Sequence, residues 1–482
     1  MTRFPAVPFV AGVDSSTQST KVEIRALDSG EVVARATAAH PPVTPPVSEQ
    51  DPESWWAAFE QAWSAATAHV DGGAAAVAAI SVAGQQHGMV ALDADDRPVH
   101  PAKLWNDTES APDAGWLIAQ LAGEGDGAAA WADAVGSVPV AAFTATKLSW
   151  LHRTHPDRWA RMARVLLPHD YLTFRLTGRY TTDRGDASGT GYWSPATGEY
   201  RWDILAIIDA DRDWASVVPD VLGPLDVAGR WHPADAPADG IVVAPGTGDN
   251  MGAALGLGLG AGDAAVSIGT SGTAFAVADG PTADPSGAVA GFADATGRFL
   301  PLVCTSNAAK VLDAFARLLG VDHDEFDELA LAGARAPLTT APLLLPYLDG
   351  ERTPNRPDAT GVLAGLRSDV TREGVAFAAV AGVACGLLDA VDALRDAAPI
   401  GGTIVLTGGG AGSAALRALL AGQLDVPVTV AIVDQAVATG AAIQAAAVAG
   451  GEDHAAVQAR WGLGGRDGDA VDGIAVDGLR ER

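Results

Sequence analysis

Apolar and polar positions alternate from the start of the chain. Phe9 to Val13 reads as an apolar strand ending in Asp14, and a hydroxyl-rich turn, Ser15-Ser16-Thr17-Gln18-Ser19-Thr20, leads to a second strand from Lys21 to Leu27. Asp28-Ser29-Gly30 then turns the chain into a third strand, Glu31 to Ala38, so the pattern predicts an antiparallel meander with a polar first turn. Asp51 before Pro52, with Trp55, Trp56, Phe59 and Trp63 marking one side, predicts a capped helix packed on that meander. Val77 to Val82 is a further buried strand that runs into the loop Gly84-Gln85-Gln86-His87-Gly88, and Met89 to Leu92 resumes the sheet. The stretch 111–180 reads as mainly helical, and 181–235, rich in Gly, Asp, Trp and Pro, as loops and short elements.

The second half begins on Ile241 to Ala244, an apolar strand, followed by Gly246-Thr247-Gly248-Asp249-Asn250 and a small-residue helix from near Met251. Asp249 therefore stands where a strand hands over to a helix. The pentapeptide alone leaves two readings open: a helix cap, the commoner role for Asp and the one it favours, or a catalytic carboxylate beside an anion site. Ala264 to Ile268, the turn Gly269-Thr270-Ser271-Gly272-Thr273 and Ala274 to Ala278 repeat the strand, hydroxyl turn, strand plan seen at Asp14. The repeat suggests duplicated domains, although short hairpins of this composition are common. Thr403 to Leu406, then Thr407-Gly408-Gly409-Gly410-Ala411 and a helix from Ser413 to Leu424, suits a nucleotide, as it suits many helix starts that bind nothing, and it lacks a P-loop lysine. Beyond a short helix near Ala455 to Trp461, the last residues read as peripheral.

A length of 482 residues exceeds one ordinary core and predicts two domains, 1–245 and 246–450, with a tail at 451–482. Two domains imply a cleft. The formal net charge of -28 argues against a nucleic-acid or anionic-membrane partner, and only Lys21, Lys103, Lys147 and Lys310 are lysines. Cys304 and Cys385 have neither metal-ligand spacing nor the density of a secreted scaffold, and no long uninterrupted apolar run or basic leader is present. The expectation is a cytoplasmic protein.

Taken in order, the Asp14 loop, Ser48-Glu49-Gln50-Asp51-Pro52 with Trp55-Trp56, Gly84-Gln85-Gln86-His87-Gly88, Trp105-Asn106-Asp107, Lys147-Leu148 with Trp150, Gly248-Asp249-Asn250, Ser267 to Gly272, Leu345 to Leu348 with Gly350-Glu351-Arg352-Thr353-Pro354, and Gly408 to Ala411 resemble the FGGY carbohydrate kinases, and among them those acting on D-xylulose. The resemblance implies an α/β fold of two actin-like, ribonuclease H-like ATPase domains with a cleft between them. It further implies ATP and Mg²⁺ as cofactors and a sugar as substrate, D-xylulose becoming D-xylulose 5-phosphate, and it suggests a homodimer.

Residue by residue, the resemblance makes Asp249 the general base on a sugar hydroxyl and gives Asp14 to Mg²⁺, directly or through water. Ser16, Thr17 and Lys21, with Thr270 and Ser271, would surround the phosphates, while Gly409 and Gly410 lie on the adenosine side. Gln86, His87, Asp249 and Asn250 would bind the sugar, with Trp105 and Asp107 shaping its pocket. Lys147 and Trp150 read as structural, Asp170 as support for the pocket wall, and Glu351 with Arg352 as a buried pair. The chain departs from the family in having Ser15-Ser16 where Leu-Gly is frequent, Gln86 in place of Met, and Thr146 in place of Pro. A family member acting on L-ribulose, ribitol or glycerol is one alternative, and an actin-like ATPase switch without sugar chemistry is another.

Overall fold

The apolar run at the start folds as the strand Phe9–Ser15, two residues longer than the pattern marks, so that Asp14 lies within the sheet. It pairs antiparallel with Ser19–Ala26, Asp14 facing Lys21, and that strand pairs in turn with Val32–Ala39. Side-chain alternation divides the two faces of this sheet. Ala11, Val13, Val22 and Ile24 join Trp55, Phe59 and Trp63 of the helix Pro52–Thr67 in one apolar core. Asp51 caps that helix, accepting the Glu53 N–H at 3.0 Å. On the other face Gly12 admits the helix Ala436–Gly450 so closely that a Cβ would stand 1.9 Å from the Ala438 carbonyl oxygen.

The computed structural model describes residues 8–123, 125–464 and 468–481. Its contacts divide the chain into two units, one of Met1–Gly258, Asp279–Leu300 and Val433–Gly464, the other of Leu259–Ala278, Pro301–Ile432 and Gly465–Arg482. In the first unit the sheet runs Gly229–Trp231, Ile241–Val243, Val77–Gly84, Phe9–Ser15, Ser19–Ala26, Val32–Ala39. Val77–Gly84 is parallel to Phe9–Ser15, with Asp14 beside Ala83, and parallel to Thr247–Gly248, with Thr247 beside Ala83. The ends of these parallel strands therefore carry Asp14, Gln85–Gln86 and Asp249 to one edge of the sheet.

In the second unit Ala264–Ile268 and Gly272–Ala276 form an antiparallel pair, and Ala264–Ile268 also runs parallel to Ile404–Thr407. This repeats the connectivity of the first unit, in which one hairpin strand takes a parallel neighbour from later in the chain. The helix Arg372–Ala397 is long and apolar enough to cross a membrane by length and composition, yet 67% of its most apolar stretch is buried inside the protein. Ser413, read as the first residue of a helix, instead caps Ala414–Gln423.

The two units differ from the sequence expectation, since 246–258, 279–300 and 433–450, expected in the second domain, fall in the first unit. Residues 246–258 belong to the first unit, because Thr247–Gly248 joins its sheet and the helix Asp249–Gly256 crosses Ala436–Gly450. The stretch after 450 is integrated and not peripheral. Arg460 Nη2 and Trp461 Nε1 both donate to the Leu27 carbonyl at 3.2 Å, and Asp469–Ala470 adds a strand to Val428–Val430.

The crossing of Asp249–Gly256 with Ala436–Gly450 is made of backbone. A Cβ on Gly440 would lie 1.9 Å from the Gly252 oxygen, and one on Gly256 would lie 1.9 Å from the Ala436 oxygen. Gly440→Ala should therefore lower the urea midpoint by an amount worth about 1–3 kcal/mol, the usual cost of overpacking. Gly386→Ala, where a Cβ meets nothing within 4 Å, should leave the midpoint unchanged or raise it, since alanine is the better helix former.

Candidate active site

Asp14 is almost fully buried, and its Oδ2 accepts from Lys21 Nζ at 3.0 Å. Burial pushes the Asp14 carboxyl up and Lys21 pulls it part of the way back. Lys21, expected at the phosphates, is thus an ion-pair partner of Asp14, with a third of its side chain exposed. Ser16 Oγ donates to the Ser19 carbonyl at 3.1 Å. Thr17 is a junction: its hydroxyl donates to Gln85 Oε1 at 2.9 Å and accepts from Trp105 Nε1 at 3.1 Å, and its carbonyl accepts from Gln50 Nε2 at 3.1 Å. The turn expected at the phosphates is therefore bonded to both loops expected at the sugar.

Asp249 is the first residue of its helix and does not cap it, because Gly248 is the N-cap. Its Oδ1 accepts from the Asn250 N–H at 2.8 Å and from Asn250 Nδ2 at 2.9 Å, and Asn250 Nδ2 also donates to Gln86 Oε1 at 2.9 Å. Burial pushes Asp249 up to about 7, the Asp14 carboxylate adding to the shift. Burial raises both carboxyls, and Asp14 adds to the shift of Asp249; carboxylate oxygens of this kind are hard donors of the type that suits Mg²⁺.

His87 holds φ +66°, and its Nδ1 lies 2.8 Å from the Gly189 carbonyl. A ring nitrogen bonded to a carbonyl carries the hydrogen. Gly189 is glycine for this contact, since a Cβ there would stand 2.5 Å from the imidazole. Phe143 and Phe292 flank the ring at 5.0 and 5.5 Å.

Asp107, expected to shape the sugar pocket, is saturated by neighbouring donors. It is fully buried, and its carboxylate accepts from Lys103 Nζ at 3.0 Å, the Ser48 N–H at 2.9 Å and the Glu109 N–H at 3.1 Å. Glu49, Asp107 and Glu109 lie close enough together to hold a metal, but the Lys103 ammonium already sits among them at 2.6–3.0 Å, over the face of Trp150 at 4.0 Å. This cluster braces the Trp105 loop. Lys147, buried and held near 7 by desolvation, donates to the carbonyls of Ala141 and Ala142. Among the described residues, Gln85 Nε2, Gln86 Nε2 and Asn106 Oδ1 are buried without a hydrogen-bond partner.

In the second unit Thr270 and Ser271 are exposed at the hairpin tip, where the Gly269 N–H bonds the Ser271 carbonyl at 3.0 Å. The expectation that the glycines at 409 and 410 leave room for a nucleoside holds different physical content at each. A Cβ on Gly409 would meet nothing within 4 Å, whereas one on Gly410 would stand 2.4 Å from Ile268 Cγ2, so packing on its own unit already requires glycine there. Glu351 is buried but does not pair with the Arg352 guanidinium. It accepts the Ser306 and Arg352 N–H groups and Asn307 Nδ2, while Arg352 is exposed.

Sequence reading named Asp170 as support for the pocket wall but not the buried group that surrounds it. His169 Nε2 lies 3.2 Å from Asp170 and 3.5 Å from Asp183, and its Nδ1 lies 3.5 Å from Asp186, all four residues being almost wholly buried. Asp183 Oδ2 accepts from Thr247 Oγ1 at 2.9 Å. Burial pushes Asp170 up to about 8 and Asp183 up to about 6, raises Asp186 well above the carboxylate range, and pushes His169 down to about 3. The spacing Pro168-His169-Asp170 and Asp183-Arg184-Gly185-Asp186 is visible in sequence, but only the fold brings the two segments together.

The fold is accounted for by one family. The chain belongs to the FGGY family of carbohydrate kinases: residues 9–256 match its N-terminal domain and residues 264–449 its C-terminal domain. Among its relatives is the xylulose kinase of Streptomyces coelicolor, 46% identical over 457 residues, which cover 94% of this chain and 91% of that one. The xylulose kinase of Escherichia coli is 35% identical over 421 residues, covering 85% and 84%. The crystal structure of xylulose kinase from Bifidobacterium adolescentis superposes with a TM-score of 0.83 at 42% identity, covering 93% and 94%.

The buried carboxyl cluster makes stability depend on pH in a stated direction. These carboxyls hold protons in the folded state that they release in the unfolded chain above its ordinary value near 3.8. Their contribution is therefore fully present below that value and is lost as pH rises through about 6 to 8. Asp170→Asn, which mimics the protonated acid, should remove its share of that loss. Thermal midpoints measured across this range should fall less steeply with pH in the variant than in the parent, by about 1.4 kcal/mol per unit for each proton no longer released.

Proposed function

We propose that this protein transfers the γ-phosphoryl group of ATP to D-xylulose, giving D-xylulose 5-phosphate, with Asp249 as general base. The observation that carries the reading is Asp249 itself: a carboxylate held near 7 by burial and by Asp14, at the end of parallel strands, does not cap its helix. A base of that affinity accepts a hydroxyl proton near neutral pH, and positioned bases of this kind are worth about 10² to 10⁴ in rate. The xylulose kinase relatives at 46% and 42% identity support the sugar.

The sugar would meet a set of short polar groups. The unpartnered Gln85 Nε2 and Gln86 Nε2 would offer donors and Asn106 Oδ1 an acceptor, His87 would contact the sugar, and Asn250 flanks the base. Alternating donors and acceptors match a polyol and leave no charge for it to neutralise. Asp249 removes the proton from the attacking hydroxyl as its oxygen bonds to phosphorus and the bridging oxygen leaves with ADP. Asp14 would hold Mg²⁺, which when bound neutralises phosphate charge. Lys21 offsets part of the rise that burial imposes on Asp14. Thr270 and Ser271 would offer hydroxyl donors to phosphate oxygens, and Ser16 and Thr17 would do so on exchanging their bonds to the Ser19 carbonyl and Gln85. Gly409 and Gly410 lie on the nucleoside side. Exclusion of water protects the activated phosphate from hydrolysis. We place the enzyme in the cytoplasm as a homodimer.

A coupled ADP-release assay across D-xylulose, L-ribulose, ribitol and glycerol tests the reading. D-xylulose should give the highest kcat/KM, and ATP turnover indifferent to every sugar would point instead to an ATPase switch. Asp249→Ala should lower kcat by about 10² to 10⁴ while the affinity for ATP, followed by fluorescence titration, stays within a few-fold. Because the base works deprotonated, kcat/KM for the sugar should fall as pH drops below about 7.

A further inference from the structure

The backbone that carries Asp249 has a gap in its sheet pairing. The Ala244 N–H still bonds the Ile80 carbonyl at 2.9 Å, and pairing resumes where Thr247 lies beside Ala83. Between them stand Pro245, which has no N–H, and Gly246, whose φ of +82° takes it out of strand geometry. Backbone polar groups buried there need other partners. Gln444, a buried residue on the helix Ala436–Gly450, supplies them. Its Oε1 accepts the Gly246 N–H at 3.0 Å, and its Nε2 donates to the Gly246 carbonyl at 3.0 Å. Oε1 also accepts from Ser81 Oγ at 2.5 Å, tying the same amide to the central strand Val77–Gly84. It is the only long polar side chain on a helix otherwise made of small and apolar residues.

We infer that Gln444 is a positioning residue for the general base: its carboxamide stands in for a neighbouring strand at Gly246 and fixes the turn that aims Asp249, three residues on. The inference rests on the reading of Asp249 as the base. The reciprocal pair sets both the height and the rotation of the turn, because N–H and C=O of one residue are held together. Asp183 holds the next residue through Thr247 Oγ1, so the two anchors leave the turn little freedom before Asp249. Errors near 1 Å in such a group can cost about 10²-fold in rate.

Gln444→Met and Gln444→Glu separate this role from simple packing. Methionine matches the volume and suits an apolar core, but offers neither bond to Gly246. Glutamic acid, kept protonated by burial, can still accept the N–H and donate to the carbonyl. The expected order of kcat is Gln, then Glu, then Met, with Gln444→Met about 10- to 100-fold below the parent and KM for ATP within about twofold. A filler role gives the reverse order, because methionine then fits at least as well as a buried acid. Wild-type kcat in Gln444→Met overturns the proposal whatever the glutamate variant does. Asp249→Ala is assayed alongside: if it keeps full kcat the base reading fails, whereas a dead Asp249→Ala with an unaffected Gln444→Met refutes the positioning role alone.

Discussion

One strand sets the geometry of the first unit. Val77–Gly84 pairs in parallel with Phe9–Ser15 on one side, and with Ile241–Val243 and then Thr247–Gly248 on the other. Parallel pairing fixes which ends lie together, so Asp14, Gln85–Gln86 and Asp249 must emerge on one edge although more than 200 residues of chain separate the first from the last. The hydrogen-bond register, and not any contact between the functional side chains, brings them together. Side-chain bonds then tune the result: Thr17 to Gln85, Trp105 to Thr17 and Asn250 to Gln86 each link two of the loops so assembled.

Backbone-to-backbone packing behind this edge explains why glycine and alanine crowd the late helix. Gly12, Gly256 and Gly440 allow Phe9–Ser15, Asp249–Gly256 and Ala436–Gly450 to approach at distances where a Cβ would overlap a carbonyl. A helix that close can also place a carboxamide against the main chain of a turn, as Gln444 does at Gly246. Fold and site are linked at this point, because the small residues that pack the helix give the one long polar side chain its reach.

Local pattern carried much of this into the sequence. The meander, the Asp51 cap, the aromatic face of Pro52–Thr67 and the repeated hairpin at Ala264–Ile268 are each written in adjacent residues, and the structure contains them. Long-range matters were hidden. Nothing in residues 246–258 shows that they complete the first sheet, and Trp461 reads as an ordinary helix residue until it meets Leu27. The His169 cluster joins two segments, 168–170 and 183–186, whose carboxylates look solvated in a sequence of net charge -28. Lys21 could be taken for a free cation, because antiparallel register and not spacing sets it opposite Asp14.

Hydrogen-bond satisfaction separates the polar residues that hold the structure from those that await a partner. Asp107 and Lys103 are as deeply buried as any group near the Trp105 loop, but each is saturated: three carboxylates surround the ammonium, and Asp107 takes two backbone N–H groups besides. A saturated charge cluster gains nothing from a sugar and would lose by opening toward one. Gln85, Gln86 and Asn106 are the opposite case. Each holds one buried polar atom unmatched, a condition that costs about 1–3 kcal/mol per atom when nothing fills it. The carbonyl oxygens of Gln85 and Gln86 accept from Thr17 and Asn250, which fixes the rotation of each amide. In the proposed function a polyol hydroxyl that satisfies the unmatched atoms would recover that cost on binding and a substrate lacking it would leave the penalty in place, so the same atoms would act on selectivity.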